Sequence, residues 1–490
     1  MSIPYLSIII FLPVVGAIII ALFGRSAKSI KLTAVVFTSI PLALSLALFI
    51  AKHGDFGSPQ FVEYVSWIPS INAHYHLGVD GLSMVMVLLT TFLGLLAVLV
   101  SWHIGIRVRE YFFWLLILEM GILGVFCSLD FLLFFLFWEV ELLPMYMLIS
   151  IWGTGRKEYS AIKFVVYTLV GSAMMLAAIL LLYFNTGSWS MLEAAPGLSM
   201  ALQSAIFFLL FFCFAVKLPV FPLHTWLPDA HTDAPTAVSV ILAGVLLKMG
   251  GYGMIRACVG IFPEVAVKYA PILVIFAVIS VLYGAAVTLR QTDLKRLIAY
   301  SSISHMGYVL LGIFALSQVS LTGATLQLFS HGIITGLLFA MCGLVMEKTH
   351  ERSIPMLGGL ARQMPIIAVV FSIGGLAALG LPSTSGFAAE FLVFQGSFNS
   401  TAFSLVRIYT ILGVVGIVIT AGYILWVLER VFYRNVQERF DGVEDANALE
   451  MGTIFAFVAA IMLIGIYPRI LTDVINLGIL PIWERIASLL

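Results

Sequence analysis

The chain has 490 residues, 61% of them hydrophobic and only 10% charged, with a mean hydropathy of +1.10. Soluble domains carry about 25% charged residues, so this is the composition of a polytopic membrane protein. The formal net charge of zero argues against a nucleic-acid partner.

Met1–Phe23 is apolar nearly to its start and lacks a basic leader and an Ala-x-Ala cleavage site. It reads as a retained first span. Further apolar runs of about 20 residues, enough to cross a bilayer core of about 30 Å, follow along the chain. They lie at 32–51, 82–102, 112–128, 131–152, 162–184, 204–230, 235–258, 271–289, 296–316, 322–346, 364–400, 407–430 and 452–471. The seventh run in the chain is interrupted at Leu218-Pro219 and the twelfth at Leu381-Pro382. The longest polar connections are 52–81 and 431–451, too short for a soluble domain. The stretch Thr472–Leu490 reads as an interfacial tail. Arg25, Lys28, Lys31, Arg107, Arg109, Arg156 and Lys157 begin a pattern in which alternate connections hold most of the basic residues. That asymmetry predicts an even number of spans with both termini outside.

These runs predict an all-α polytopic membrane protein of about 14 transmembrane helices. The two interrupted spans lie five positions apart, so spans 4–8 and 9–13 are expected to form two inverted five-helix repeats with broken helices 7 and 12. The expected organisation is 1–110 for spans 1–3, 111–260 for the first repeat, 270–432 for the second, and 450–490 for the final span and tail.

Four of the ionisable residues inside apolar segments stand out: Glu139, Lys217, Lys248 and Glu390. A charge at such depth costs roughly 2.5–3.5 kcal/mol on insertion scales, and intramembrane ionisable groups mark ion pathways. Lys217 also precedes Pro219 and Pro222, which break its helix. Irregular backbone at membrane depth must line protein or water. Glu139 is the natural partner of Lys217, since both lie mid-span in the first half. A nearby carboxylate favours the ammonium, and its withdrawal favours proton release, so such a pair is a switch. The alternative is a static ion pair that fixes helix register. Lys248 has no partner apparent in the sequence. Glu141, two residues from Glu139, points to nearly the opposite face of a continuous helix and reads as an interhelical hydrogen-bonded carboxyl.

His224, His305 and His331 form a second layer of candidates for a proton relay through bound water. Ser301, Ser302, Ser304, Thr325, Ser330 and Thr335 give spans 10 and 11 a polar interior. Metal binding is not expected, because the spacing is not a ligand pattern. Cys127, Cys213, Cys258 and Cys342 stand in apolar runs without C-x-x-C spacing, which argues against a disulfide, zinc or iron–sulfur site. No Gly-rich phosphate loop is present in a strand–helix context, so no cofactor is expected in this chain.

Several segments resemble the antiporter-like membrane subunits of respiratory complex I. They are Gly-Val-Asp-Gly-Leu-Ser (78–83), Phe-Trp-Glu (137–139) with Leu-Leu-Pro-Met-Tyr (142–146), and the long run Lys217–His231. Leu246–Gly253, Gln291–Gly307 and Leu381–Phe387 complete the set, in the same order over about residues 74–400. The resemblance implies roles for Glu139, Lys217, Lys248 and Glu390 as the ionisable residues of spans 5, 7, 8 and 12. Glutamate rather than lysine at 390, and no long lateral C-terminal helix, resemble the M-type (chain 4) subunit. Glu141 departs from the family pattern, where an apolar residue is usual.

The resemblance implies a proton-translocating subunit of a redox-driven NADH:quinone oxidoreductase. Quinone, FMN and iron–sulfur clusters are then expected in partner subunits, and neighbouring antiporter-like subunits and the lipid bilayer as partners. A bacterial-type inner membrane is the expected location. The alternatives are a subunit of an Mrp-type sodium/proton antiporter, of a membrane-bound hydrogenase or formate-linked complex, or a passive structural anchor.

Overall fold

The computed structural model describes residues 3–52, 54–192, 197–435 and 437–490. The first half of the chain forms α1 (Tyr5–Phe23), α2 (Ala27–Ala51), strands β1 (Gln60–Ile68) and β2 (Ala73–Val79), α3 (Gly81–Val100), α4 (Val108–Cys127), α5 (Phe131–Val140), α6 (Leu142–Trp152) and α7 (Lys157–Thr186). Then come α8 (Met200–Lys217), α9 (Trp226–Asp233), α10 (Thr236–Ile241) and α11 (Leu247–Gly253). The second half forms α12 (Pro263–Thr288), α13 (Leu294–Phe314), α14 (Gln318–Thr349), α15 (Pro365–Ala378), α16 (Ser385–Phe398), α17 (Val406–Leu428), α18 (Ala448–Ile466) and α19 (Arg469–Ala487).

Among the described residues, 13 helical stretches are long and apolar enough to cross a membrane, the fifth span Phe131–Trp152 counted as one. The twelfth expected span does not count among them because its break divides it into α15 and α16, each of 14 residues. The chain is a multi-pass integral membrane protein. The eighth span, Thr236–Val259, is buried throughout, and α13 and α14 nearly so. These three form the centre. Around them α1, α2, α7, α17 and α18 present Phe23, Ile50, Phe184, Val418 and Phe455 outward, as lipid-facing helices do.

Three local features differ from the expectations. The polar connection 52–81 holds an antiparallel hairpin of β1 on β2, with Tyr64 opposite His76 and Ser66 opposite His74. The stretch after residue 472 is part of a regular helix, α19, despite Pro481. Its Leu471, Val474, Ile475, Gly478, Ile479, Ile482 and Ile486 recur at helical spacing and are buried, against α3 and α14 among others. The fifth span is not one helix: α5 ends at Val140 and α6 starts at Leu142. Pro144 has no amide hydrogen for the Val140 carbonyl, which loosens the helix there. Glu141 N accordingly donates to Glu139 O, two residues back.

One ion pair joins the start of α3 to the far end of the central span. Asp80 caps α3 through the amides of Leu82 and Ser83, and its Oδ1 accepts from Arg256 at 2.6 Å. Both side chains are buried. Removing one member of a buried pair leaves a charge without compensation and costs about 3–5 kcal/mol. Asp80→Ala is therefore expected to lower the thermal midpoint of the purified protein and its yield in membranes. An unchanged midpoint would remove this pair from the account of stability.

Candidate functional site

The first site is built where α8 stops. The missing amide hydrogens of Pro219 and Pro222 end the regular helix, and the freed carbonyls find local donors. Val220 N bonds to Ala215 O at 2.9 Å, and the Trp226 indole bonds to Val216 O at 2.9 Å. Lys217 is thus the last residue of a helix held open but fully hydrogen-bonded at these positions. It is 1% exposed, and its ammonium forms an ion pair with Glu141, whose side chain is 0% exposed. The ammonium also lies 5.3 Å from the Trp138 ring and 5.5 Å from the Phe164 ring.

The expected partner, Glu139, is not the residue that Lys217 grips. Glu139 is half-buried, and its Oε1 has no partner among the described residues. Glu141 shares the enclosed face of the span with Phe134, Trp138 and Met145 at helical spacing, whereas Glu139 shares the outward face with Leu136 and Leu143. Glu141, expected to serve elsewhere as an interhelical acceptor, takes the lysine instead.

The second site is a chain of contacts across three helices and the second break. Lys248 Nζ lies 2.7 Å from His331 Nδ1 of α14 and also donates to Ala243 O. Ala243 belongs to a π-helical turn, Leu242–Leu246, in the middle of the eighth span. Such turns widen the helix and recur at functional positions. The His331 and His305 rings are 5.5 Å apart, and His305 Nδ1 lies 3.2 Å from Glu390 Oε1. Ser301, His305, Gln327, His331, Thr335 and Glu390 line a cavity of about 10 Å³. That is on the scale of one water centre. His331 Nε2, His305 Nε2 and Gln327 Oε1 have no partner among the described residues.

Two glycines set these distances. Gly250, two residues from Lys248 on the same central span, lets α11 press on the end of α8. A Cβ there would meet Phe214 O at 2.6 Å and Leu218 N at 2.7 Å. Gly380, at the second break, has φ +79°, and a Cβ would lie 2.8 Å from Glu390 Oε2. The break therefore has both a left-handed residue and space for the carboxylate.

Lys217, Lys248, His305, His331 and Glu390 all take part in these two groups. His224 does not: its ring stacks on Phe221 at 5.7 Å and meets Tyr283 edge-on at 5.1 Å. Three buried polar residues were not singled out by sequence. His231 is stacked on Phe339, and neither ring nitrogen has a partner among the described residues. Lys295 donates to Ala234 O at 2.8 Å beside the same helix. Glu119 of α4 faces Gly94 of α3, with Oε1 unsatisfied among the described residues. The intramembrane position of Glu119 was a signal available in its apolar run, Leu-Leu-Ile-Leu-Glu-Met-Gly.

Comparison with known proteins places these residues in a larger frame. Residues 128–420 match the family described as NADH:quinone oxidoreductase/Mrp antiporter, TM. The chain is 40% identical to NAD(P)H-quinone oxidoreductase chain 4 1 of Synechococcus sp., covering 99% of this chain and 94% of that one. It is 40% identical to NADH-quinone oxidoreductase subunit M of Rhodobacter capsulatus, covering 96% and 94%. A chain of respiratory complex I from Thermus thermophilus superposes with a TM-score of 0.89 at 29% identity, covering 99% of each.

Gly380→Ala is expected to push the Glu390 carboxylate away from His305 and to strain the break by about 1–3 kcal/mol. A cryo-EM map of the variant checks this. An unmoved carboxylate and an unchanged thermal midpoint would show that Gly380 has no such role.

Proposed function

The chain belongs to the NADH:quinone oxidoreductase/Mrp antiporter membrane family, and we propose that its buried ionisable residues form the proton route of an M-type subunit. The chain is a proton-translocating membrane subunit of an NADH:quinone oxidoreductase complex and works beside other membrane subunits. Quinone, FMN and iron–sulfur clusters are assigned to partner subunits. The basic residues of alternate connections favour both termini outside, and the bacterial relatives favour a bacterial inner membrane.

One observation carries the route: Lys248, His331, His305 and Glu390 stand in a single file of close contacts. The lysine ammonium hands a proton to His331 Nδ1, and His331 gives up a proton from Nε2. A water in the cavity passes it to His305 Nε2, and His305 delivers one from Nδ1 to the Glu390 carboxylate. Each imidazole accepts on one nitrogen and donates from the other, so it returns to neutrality with its tautomer reversed. Lys217 and its carboxylates form the input side, packed on the central span at Gly250. His224, against Phe221 and Tyr283, is assigned to water exchange at the first break. The full-length likeness to two quinone oxidoreductase subunits favours this partner set over a secondary sodium/proton antiporter.

Lys217→Ala and Lys248→Ala are expected to leave the complex assembled and to lower NADH-driven proton uptake by at least about tenfold, within the range for loss of a proton-transfer group. Fluorescence quenching in inverted membrane vesicles measures it. Normal uptake in both assembled variants would leave the chain as a passive anchor.

A further inference from the structure

The ion pair of Lys217 uses a carboxylate, Glu141, to which the proposed route gives no proton-carrying step of its own. Glu141 is completely enclosed, holds the ammonium through Oε1, and keeps Oε2 without a partner among the described residues. Glu139, two residues earlier on the same broken span, is half-buried and also has an unsatisfied oxygen. Leu136 and Leu143, on either side along the chain, are exposed. Glu139 thus belongs to the outward part of the span and Glu141 to the inward part. The lysine has three donors and a flexible four-carbon stem. Its ammonium rests near the faces of Trp138 and Phe164, which attract a cation without fixing its direction. A cation held by one enclosed carboxylate, with aromatic faces beside it and a second carboxylate two residues away, has two stations.

We propose that Glu141 and Glu139 are alternative counter-ions of Lys217, and that each carboxylate holds a proton while the lysine is on the other. This deepens the reading of Lys217 as the input group and rests on it. With the ammonium on Glu141, Glu139 carries the proton. When the ammonium moves to Glu139, that proton leaves for the water path and Glu141 takes one up. The triad keeps its total charge, and one proton changes side for each swing. Two adjacent carboxylates do not both stay ionised beside a single cation without cost, which is what couples the swing to proton transfer. Glu141 lies on the enclosed face of the span and Glu139 on its outward face, so the flexible stem of the lysine, rather than a change in the helix, carries the ammonium from one to the other.

The test uses the whole complex in inverted membrane vesicles. Glu141→Gln keeps the size and a hydrogen-bond acceptor but cannot take up or hold the charge. We expect it to assemble, to support ordinary NADH–ferricyanide reduction, and to lower NADH-driven proton uptake at least about tenfold, as expected for a lost proton-transfer group. The pH profile of the remaining uptake is expected to shift, and Glu141→Asp to restore most of the activity. A structural hydrogen bond alone would be served by the glutamine. Wild-type uptake and pH profile in Glu141→Gln, with uptake abolished in Lys217→Ala, would overturn the two-station proposal and leave the input role of Lys217 intact. Normal uptake in Lys217→Ala would overturn that role itself. Should Glu141→Gln fail to accumulate, Glu139→Gln decides. It is expected to stop uptake with the Lys217–Glu141 pair preserved in a cryo-EM map, and normal uptake there would overturn the proposal.

Discussion

A charge carried to the middle of a bilayer must find its partner inside the protein, because lipid offers none. That requirement organises this chain. Lys217 is satisfied by Glu141, Lys248 by His331 and the Ala243 carbonyl, and Glu390 by His305. Each partner lies on another helix or in a distorted turn, so the helices must meet at these depths. The three most enclosed of the candidate spans, the eighth, α13 and α14, meet there with the fifth span, α8 and α16. The lipid-facing helices around them carry no such obligation and are apolar on their exposed sides.

Distortion of the helices follows from the same need. A regular helix consumes its own backbone donors and acceptors and has none to offer a buried ion. Carbonyls become available where the pattern slips. The π-helical turn Leu242–Leu246 supplies Ala243 O to Lys248. The end of α8 supplies acceptors to Val220 and Trp226. At the second break, Gly380 contributes space in place of a bond, and the Glu390 carboxylate occupies it. Breaks in the spans are therefore part of the polar path rather than gaps in an apolar scaffold.

The same physics decides what could be read from the residues alone. Lys217, Lys248 and Glu390 were legible because a charge in an apolar run is costly wherever the fold places it. The broken spans were legible because Pro219 and Pro382 act locally. The link from Lys248 to His331 was not, since 83 residues separate the two and only helix packing joins them. Glu139 is the partner expected for Lys217 because both lie mid-span in the first half, a matter of depth that does not decide which face of the fifth span meets α8. Glu141, two residues on, lies on the enclosed face with Trp138 and Met145, and only the packing of the fifth span against the seventh brings that face to Lys217. The hairpin at 60–79 escaped notice for a different reason: two short strands in a polar connection produce little hydropathy contrast against the long apolar spans.

Coupling between the two groups needs a physical contact, and the packing of α11 on α8 provides one. Gly250 stands two residues beyond Lys248, and its missing Cβ leaves room for Phe214 O and Leu218 N, on either side of Lys217. A movement of the Lys217 backbone or a reorientation of its ammonium is therefore felt directly by the segment that carries Lys248. Closely packed interfaces of this kind do not deform smoothly; they shift between discrete arrangements. With the two stations proposed for the ammonium at one end of the contact and the proposed proton file at the other, a change of counter-ion would bias the next lysine. The electrostatic part of that influence passes through a low-dielectric interior, where a displaced charge is weakly screened. The mechanical part passes through a backbone contact with no side chain between. Both act in the same place, the end of α8, which joins the Lys217–Glu141 pair to the span of Lys248.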